Sequence, residues 1–84
     1  MISLEIAFPD GKAYTGEVAS VTLPGVDGEM TVLPGHEPLC VLLQRGTIKA
    51  DCKDTPIPIE EGVALIMGGS VRISAKRRKH DDNL

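Results

Sequence analysis

The strongest constraint in this sequence is an alternation of apolar with polar or small residues at a period of two. It is clearest at the start of the chain, where large apolar residues occupy every second position: Ile2, Leu4, Ile6 and Phe8. Successive side chains of an extended chain point to opposite faces, so this spacing predicts a strand with one buried face.

Turn signals divide the rest of the chain into further short strands. The 84 residues include 9 Gly and 6 Pro, and the Asp27-Gly28 pair between two apolar segments is a strong hairpin signal. No segment shows a clear amphipathic helical period, although Leu39 to Leu43 fits either a strand or a helical turn. We therefore predict an all-β fold of about eight short strands, arranged as an antiparallel β-sandwich or a flattened barrel.

The last third of the chain predicts two more strands and a tail. Pro56 and Pro58 flank Ile57, which places that stretch at a sheet edge. Val63 to Met67 is apolar and is interpreted as a buried strand, and Val71 to Ser74 is the last short strand. We expect a β-sandwich domain over residues 1–75 and a basic, flexible tail over residues 76–84.

Charge and composition narrow the partners. The formal net charge is −3, and an acidic body with one Phe and one Tyr lacks the basic groove and stacking aromatic side chains that single-stranded nucleic acid needs. We therefore expect no nucleic-acid partner. Because the sequence has neither a long apolar run nor a secretion signal at its start, we also expect a chain that stays in the cytosol or on the cytosolic face of a membrane.

Each candidate catalytic or metal-binding motif in the sequence lacks a residue that its chemistry requires. Gly68 to Arg72 begins like a nucleophile elbow but ends in Arg where that motif has Gly. His36 and His80 have no second ligand at a metal-binding spacing, and Cys40 and Cys52 are interpreted as reduced core or near-core residues. We predict no catalytic residue, no metal and no cofactor.

The most unusual segment is residues 21–38, VTLPGVDGEMTVLPGHEP, in which three Gly, three Pro and one His surround a hairpin. A small β domain needs many turns, but two Pro-Gly corners and a Pro-flanked His also suit a shaped docking face. The block Leu33-Pro-Gly-His-Glu-Pro-Leu39, preceded by Tyr14-Thr-Gly-Glu-Val18 and followed by Gly68-Gly69 after an apolar strand, resembles the amino-terminal domain of the epsilon subunit of F-type ATP synthases. The resemblance covers roughly residues 2–73.

This resemblance implies a non-catalytic role in the rotor. In that family the domain is an antiparallel β-sandwich of about ten strands at the foot of the central stalk, bound to the gamma subunit and to the membrane rotor ring, so the resemblance widens the expected number to about eight to ten short strands. The chain would be a monomer in isolation, and it would be peripheral, on the cytoplasmic side of the energy-transducing membrane, attached through the complex alone. The helical hairpin that often follows the sandwich, and its inhibitory activity, would be missing.

Carried over to this sequence, the partner-binding residues would be those of the hairpin and the following loop: Gly28, Glu29, Pro34, Gly35 and His36. Glu29 would face the loops of the ring and make an electrostatic contact with them. The alternative is that Glu29 is only an exposed cross-strand residue without a partner. His36 would donate to a partner carbonyl, or it satisfies its own loop.

The family usually has room for one more strand after Gly69, so the sandwich is expected to be one strand short, with an open edge. That feature and the basic tail suggest an alternative function, a stand-alone β-sandwich adaptor that binds another protein or an anionic surface.

Overall fold

The computed structural model describes residues 1–11, 13–51 and 56–78, and these residues form eight β-strands and no helix. The strands are β1 (Ile2–Ala7), β2 (Ala13–Val18), β3 (Val21–Gly25), β4 (Gly28–Val32), β5 (Leu39–Leu43), β6 (Gly46–Ala50), β7 (Ile57–Met67) and β8 (Ser70–Arg77). The predicted all-β class and strand number are confirmed, and β5 is a strand and not a helical turn. The described residues contain no helix whose length and hydropathy would let it span a bilayer.

The strands follow the order β2-β1-β8-β7-β5-β3-β4, and β6 pairs with both β3 and β7. β5 and β6 therefore lie end to end between β7 and β3, because β7 is long enough to pair with β6 at its start and with β5 further on. The sheet folds over itself into a flattened body with extents of 43 × 25 × 21 Å. Its two edge strands among the described residues are β2 and β4.

The end of the domain differs from the sequence prediction. The last strand runs from Ser70 to Arg77 and not from Val71 to Ser74, and it lies between β1 and β7. The open edge expected there is therefore absent. β8 also runs parallel to β1, whereas the other paired strands are antiparallel.

Side-chain contacts explain why the strand continues to Arg77. The Arg77 guanidinium lies 4.0 Å above the Phe8 ring, and its Nε is 3.4 Å from the Asp10 carboxylate. The next residue, Arg78, donates from Nη2 to the carbonyl of Gly46. Two residues assigned to the basic tail by sequence thus contact the sandwich, while residues 79–84 lie outside the described part of the chain.

The inward-facing side chains of both layers form a single hydrophobic core. Its most deeply buried large members come from seven strands: Ile2, Leu4, Ile6, Val18, Val21, Leu23, Val32, Ile48, Ile59, Ile66 and Val71. In the described residues no polar or charged residue is fully buried. The alternation at the start of the chain is confirmed, since every second residue of β1 belongs to this core.

The prediction that Val63 to Met67 is a buried strand is wrong for three of its five side chains. Ala64 and Ile66 are fully buried, but Val63 and Leu65 are each 41% exposed and Met67 is 52% exposed. The strand is covered on one face and bare on the other. Its apolar outer face is the first sign of a docking surface.

Candidate functional site

The β3–β4 hairpin carries two of the predicted site residues. Gly28 ends the tight turn with φ of +131°, a backbone conformation that a side chain at Cβ would strain, so glycine is required here. Glu29 follows on β4, opposite Pro24, with its side chain exposed. The hairpin therefore holds a carboxylate at a fixed position on the edge of the sheet.

The loop of residues 33–38 carries the other three. Pro34 and Gly35 form a turn that is closed by the His36 amide donating to the Leu33 carbonyl at 3.2 Å, and Gly35 has φ of +85°. His36 Nδ1 lies 2.7 Å from the Glu37 carbonyl oxygen. Because a carbonyl can only accept, this nitrogen carries the proton and donates. His36 therefore makes a hydrogen bond within its own loop, which is the second of the two roles considered for it.

The hairpin is anchored to β5, which sequence reasoning did not include in the site. The Val26 amide donates to the Leu42 carbonyl and the Gln44 amide donates to the Pro24 carbonyl, both at 2.9 Å. Between hairpin and strand lies an open groove, lined by residues 25–30 on one side and residues 39–42 on the other. Gly28 and Glu29 are part of its wall, while Pro34, Gly35 and His36 belong to the loop that connects its two sides.

A second surface lies on the outer face of β5 and β7. We call it the β5–β7 patch and define it as Leu42, Val63, Leu65 and Met67. Their side chains are between 41% and 59% exposed, and the strand register places Leu42 directly opposite Val63. Large apolar side chains gathered on one face of a small domain are typical of a protein-binding surface.

Cys40 lies beside this patch, opposite Leu65, as an exposed free thiol. The interpretation of Cys40 as a core residue is therefore wrong, because β5 turns this side chain to the bare face of the sheet. Cys52, the other cysteine, lies outside the described residues. In the part of the chain that the structure describes, no three His, Cys, Asp or Glu side chains are grouped so that they could hold a metal ion.

The charged neighbours of the β5–β7 patch are paired. Arg72 on β8 lies next to Leu65 and donates from Nε to Glu5 Oε1 at 3.1 Å. By contrast, none of the three ion pairs found among the described residues includes Glu29 or the neighbouring Asp27. The β5–β7 patch is therefore apolar and the charges beside it are paired, whereas the hairpin carries carboxylates that form no ion pair among the described residues.

Comparison with known proteins identifies the family of this chain. The family model for the ATP synthase, Delta/Epsilon chain, beta-sandwich domain matches residues 1–80. The chain belongs to this family. The resemblance found in the Leu33 to Leu39 block is thereby confirmed. The eight-stranded all-β fold agrees with the β-sandwich of this family.

Curated relatives agree with this assignment. The ATP synthase epsilon chain of Helicobacter acinonychis (strain Sheeba) is 42% identical over 77 residues, which are 89% of this chain and 63% of that protein. The ATP synthase epsilon chain of Campylobacter jejuni subsp. doylei is 46% identical over 79 residues, which are 90% of this chain and 61% of the relative. The chain thus spans somewhat less than two thirds of the length of these relatives.

Chains in two solved structures share this fold. A chain in the cryo-EM structure of the Euglena gracilis mitochondrial ATP synthase, OSCP/F1/c-ring in rotational state 1, aligns with a TM-score of 0.71 and 30% identity, over 88% of this chain and 49% of that chain. A chain in the Tetrahymena thermophila mitochondrial ATP synthase structure, central stalk/cring, aligns with a TM-score of 0.70 over 99% of this chain and 76% of that chain. The second pair is 8% identical, so it supports the fold alone.

Proposed function

We propose that this chain is the β-sandwich domain of an ATP synthase epsilon subunit, a non-catalytic part of the central stalk that joins the gamma subunit to the membrane rotor ring. The observation that carries the proposal is the family match over residues 1–80, supported by epsilon chains at 42% and 46% identity. The domain makes and breaks no bond. It transmits torque through two rigid contacts during ion-driven ATP synthesis, and no inhibitory activity is assigned to it.

The β5–β7 patch is the surface that we assign to the gamma subunit. Four large apolar side chains exposed on one face are costly in water, and burying them against a partner is favourable at roughly 25 cal/mol per Å². The paired charges of Glu5 and Arg72 beside the patch require no new counter-charge from the partner. A flat apolar face on a rigid sheet suits a contact that must hold its geometry while the rotor turns.

The hairpin and its following loop are the surface that we assign to the rotor ring, through Gly28, Glu29, Pro34, Gly35 and His36. The turns at Gly28 and Gly35 fix the backbone, and Glu29 offers an exposed carboxylate that can meet basic ring loops. The complex would hold the domain at the cytoplasmic side of the energy-transducing membrane, as a peripheral subunit.

The alternative, a stand-alone adaptor that binds an anionic surface through the basic tail, has no observation in its favour. Arg77 stacks on Phe8 and pairs with Asp10, and Arg78 donates to Gly46. Both side chains are therefore engaged within the domain, and fewer of the basic groups at this end are left for an external surface.

A binding experiment with two partners tests the proposal. The chain is immobilised and offered the gamma subunit and the detergent-solubilised rotor ring from the same organism. Leu65→Asp should abolish gamma binding, because it places a charge inside the apolar contact, whereas Glu29→Lys should weaken ring binding and leave gamma binding intact. Ala13→Asp, on the exposed edge strand β2, is the control and should change neither.

The proposal fails if the folded wild-type chain binds neither partner. Circular dichroism and urea unfolding of each variant would show that a loss of binding is not a loss of fold. Association with anionic vesicles in place of both partners would favour the adaptor.

A further inference from the structure

The end of β8 is fastened to a strand with which it does not pair. The Arg78 amide donates to the Pro58 carbonyl on the neighbouring strand β7 at 3.5 Å. The Arg78 side chain reaches further, to β6, where Nη2 donates to the Gly46 carbonyl. Strand β6 pairs with β3 and β7 and not with β8. The guanidinium therefore links two strands that backbone pairing leaves unconnected.

Gly46 extends this contact to the base of the β3–β4 hairpin. A Cβ atom built on Gly46 would lie 2.5 Å from Pro24 Cβ, so the Gly46 backbone packs directly against the ring of the buried Pro24. The Pro24 carbonyl accepts a hydrogen bond from the Gln44 amide at 2.9 Å, and Pro24 lies opposite Glu29 in the strand register. A continuous series of contacts thus runs from Arg78 to the hairpin.

The Arg78 contact is only partly satisfied. Its Nε is shielded from solvent but has no hydrogen-bond partner among the described residues, and the residue as a whole is half-buried. A buried donor without a partner has lost the hydrogen bond that it makes in water, and this cost offsets much of what the Nη2 bond contributes. The bound and the released guanidinium are therefore close in free energy.

The preceding residue, Arg77, is held at a different place. Its guanidinium lies 4.0 Å above the Phe8 ring, and its Nε is 3.4 Å from Asp10 Oδ2. Both partners belong to the end of β1 and the turn that follows it, and neither contacts the hairpin through β6. Arg77 is therefore a matched neighbour of Arg78, with the same charge and a contact to another part of the domain.

We propose that Arg78 is a releasable latch that sets the stiffness of the β3–β4 hairpin. When the guanidinium holds the Gly46 carbonyl, β6 is pressed against Pro24 and the base of the hairpin is rigid; when it is released, the hairpin loosens. This inference concerns the mobility of the chain itself and goes beyond the proposed function. Only its consequence rests on that function: a latched hairpin has less conformational entropy to lose when Glu29 meets a partner.

Hydrogen exchange of single amides, followed by NMR on the whole chain, tests the latch. The reporter amides are those of Val26 and Gln44, which form the hydrogen bonds between the hairpin and β5. Arg78→Met keeps an unbranched side chain and removes the donors, so the protection of both reporter amides should fall about three- to tenfold. The Ser3 amide, near the start of β8, should keep its protection.

Two control variants remove the same charge at neighbouring positions. Arg77→Met should lower the protection of the Gly11 amide, which donates to the carbonyl of Phe8 beneath the Arg77 guanidinium, and should leave the reporter amides unchanged. Arg45→Met breaks the 3.4 Å pair with Glu60, next to Gly46 in sequence, and should also leave them unchanged. Arg78→Lys, which keeps the charge and one donor group, should lower their protection less than Arg78→Met.

Three results would overturn the latch. The first is unchanged protection of the reporter amides in Arg78→Met, and the second is an equal loss at Ser3, which would mean a general loss of stability. The third is the same loss in Arg45→Met, because any missing charge near β6 would then suffice. No partner takes part in these measurements, so the latch can fail while the gamma subunit and the ring still bind, and it can hold in a chain that binds neither.

Discussion

The end of β7, from Val63 to Met67, is apolar on both faces, but only one of the two faces is buried. On the inner face Ala64 and Ile66 are fully buried in the core, while on the outer face Val63, Leu65 and Met67 are 41% to 52% exposed. The fold of this chain requires apolar residues only on the inner face. The outer face therefore owes its composition to something outside the domain, and the following predictions test that difference.

The largest effect is expected on the inner face. Ile66→Ala should lower the free energy of unfolding by about 2 to 5 kcal/mol, since it removes buried methyl groups and leaves a cavity in the only core of the described residues. Urea unfolding monitored by circular dichroism measures the change. Val63→Ala, the same kind of truncation on the outer face of the same strand, should cost much less. Equal losses would contradict the assignment of the two faces.

A smaller loss is expected at Gly62, also on β7. A Cβ atom built there would lie 2.6 Å from the Ser74 carbonyl oxygen and 3.0 Å from Ala75. Gly62→Ala should therefore force neighbouring strands apart and cost about 1 to 3 kcal/mol. Gly69→Ala is the matched control, because a Cβ there meets no atom within 4 Å and the backbone is not left-handed. Thermal unfolding of the two variants should differ clearly, and a neutral Gly62→Ala would show that the strands can adjust.

The sequence predicted the elements whose pattern is determined inside the chain. The alternation in β1 and the turn at Asp27-Gly28 follow from one buried face and one tight turn, and both are found. Val63 to Met67 was misjudged because a strand with two apolar faces has the same pattern whether the second face is covered by the chain or by a partner. The extension of β8 to Arg77 was missed because it depends on contacts with Phe8 and Asp10, which are distant in sequence.

The candidate site was predictable in part. The hairpin and loop residues carry a distinctive Pro and Gly pattern, so Glu29 and His36 could be selected from sequence. The contribution of β5 could not, because its apolar run gives no sign that Leu42 is bare or that the hairpin donates a hydrogen bond to its carbonyl. The sequence pattern predicts Asp27 as a turn residue. Its second property, a carboxylate without an ion pair among the described residues, needs the fold.

The ion pair beside the β5–β7 patch should contribute little to stability. Arg72 and Glu5 side chains are 68% and 45% exposed, and their closest atoms are 3.1 Å apart. Arg72→Gln should cost about 0.2 to 1 kcal/mol at low salt, and less as salt screens the pair. A double-mutant cycle with Glu5→Gln, measured by urea unfolding, isolates the interaction. A coupling that stays above this range at high salt would mean that the outer face is more important to the fold than its exposure suggests.

The smallest effect should be the most informative about the outer face. Met67→Gln replaces a 52% exposed apolar side chain with a polar one of similar length, so the free energy of unfolding should change by no more than about 0.5 kcal/mol. If the β5–β7 patch exists for a partner, the same substitution should weaken gamma binding while the unfolding curve stays where it was. A variant that loses stability and binding together would place Met67 in the fold. A variant that loses neither would leave the patch to Leu42, Val63 and Leu65, and the boundary of the gamma contact would lie between Leu65 and the end of β7.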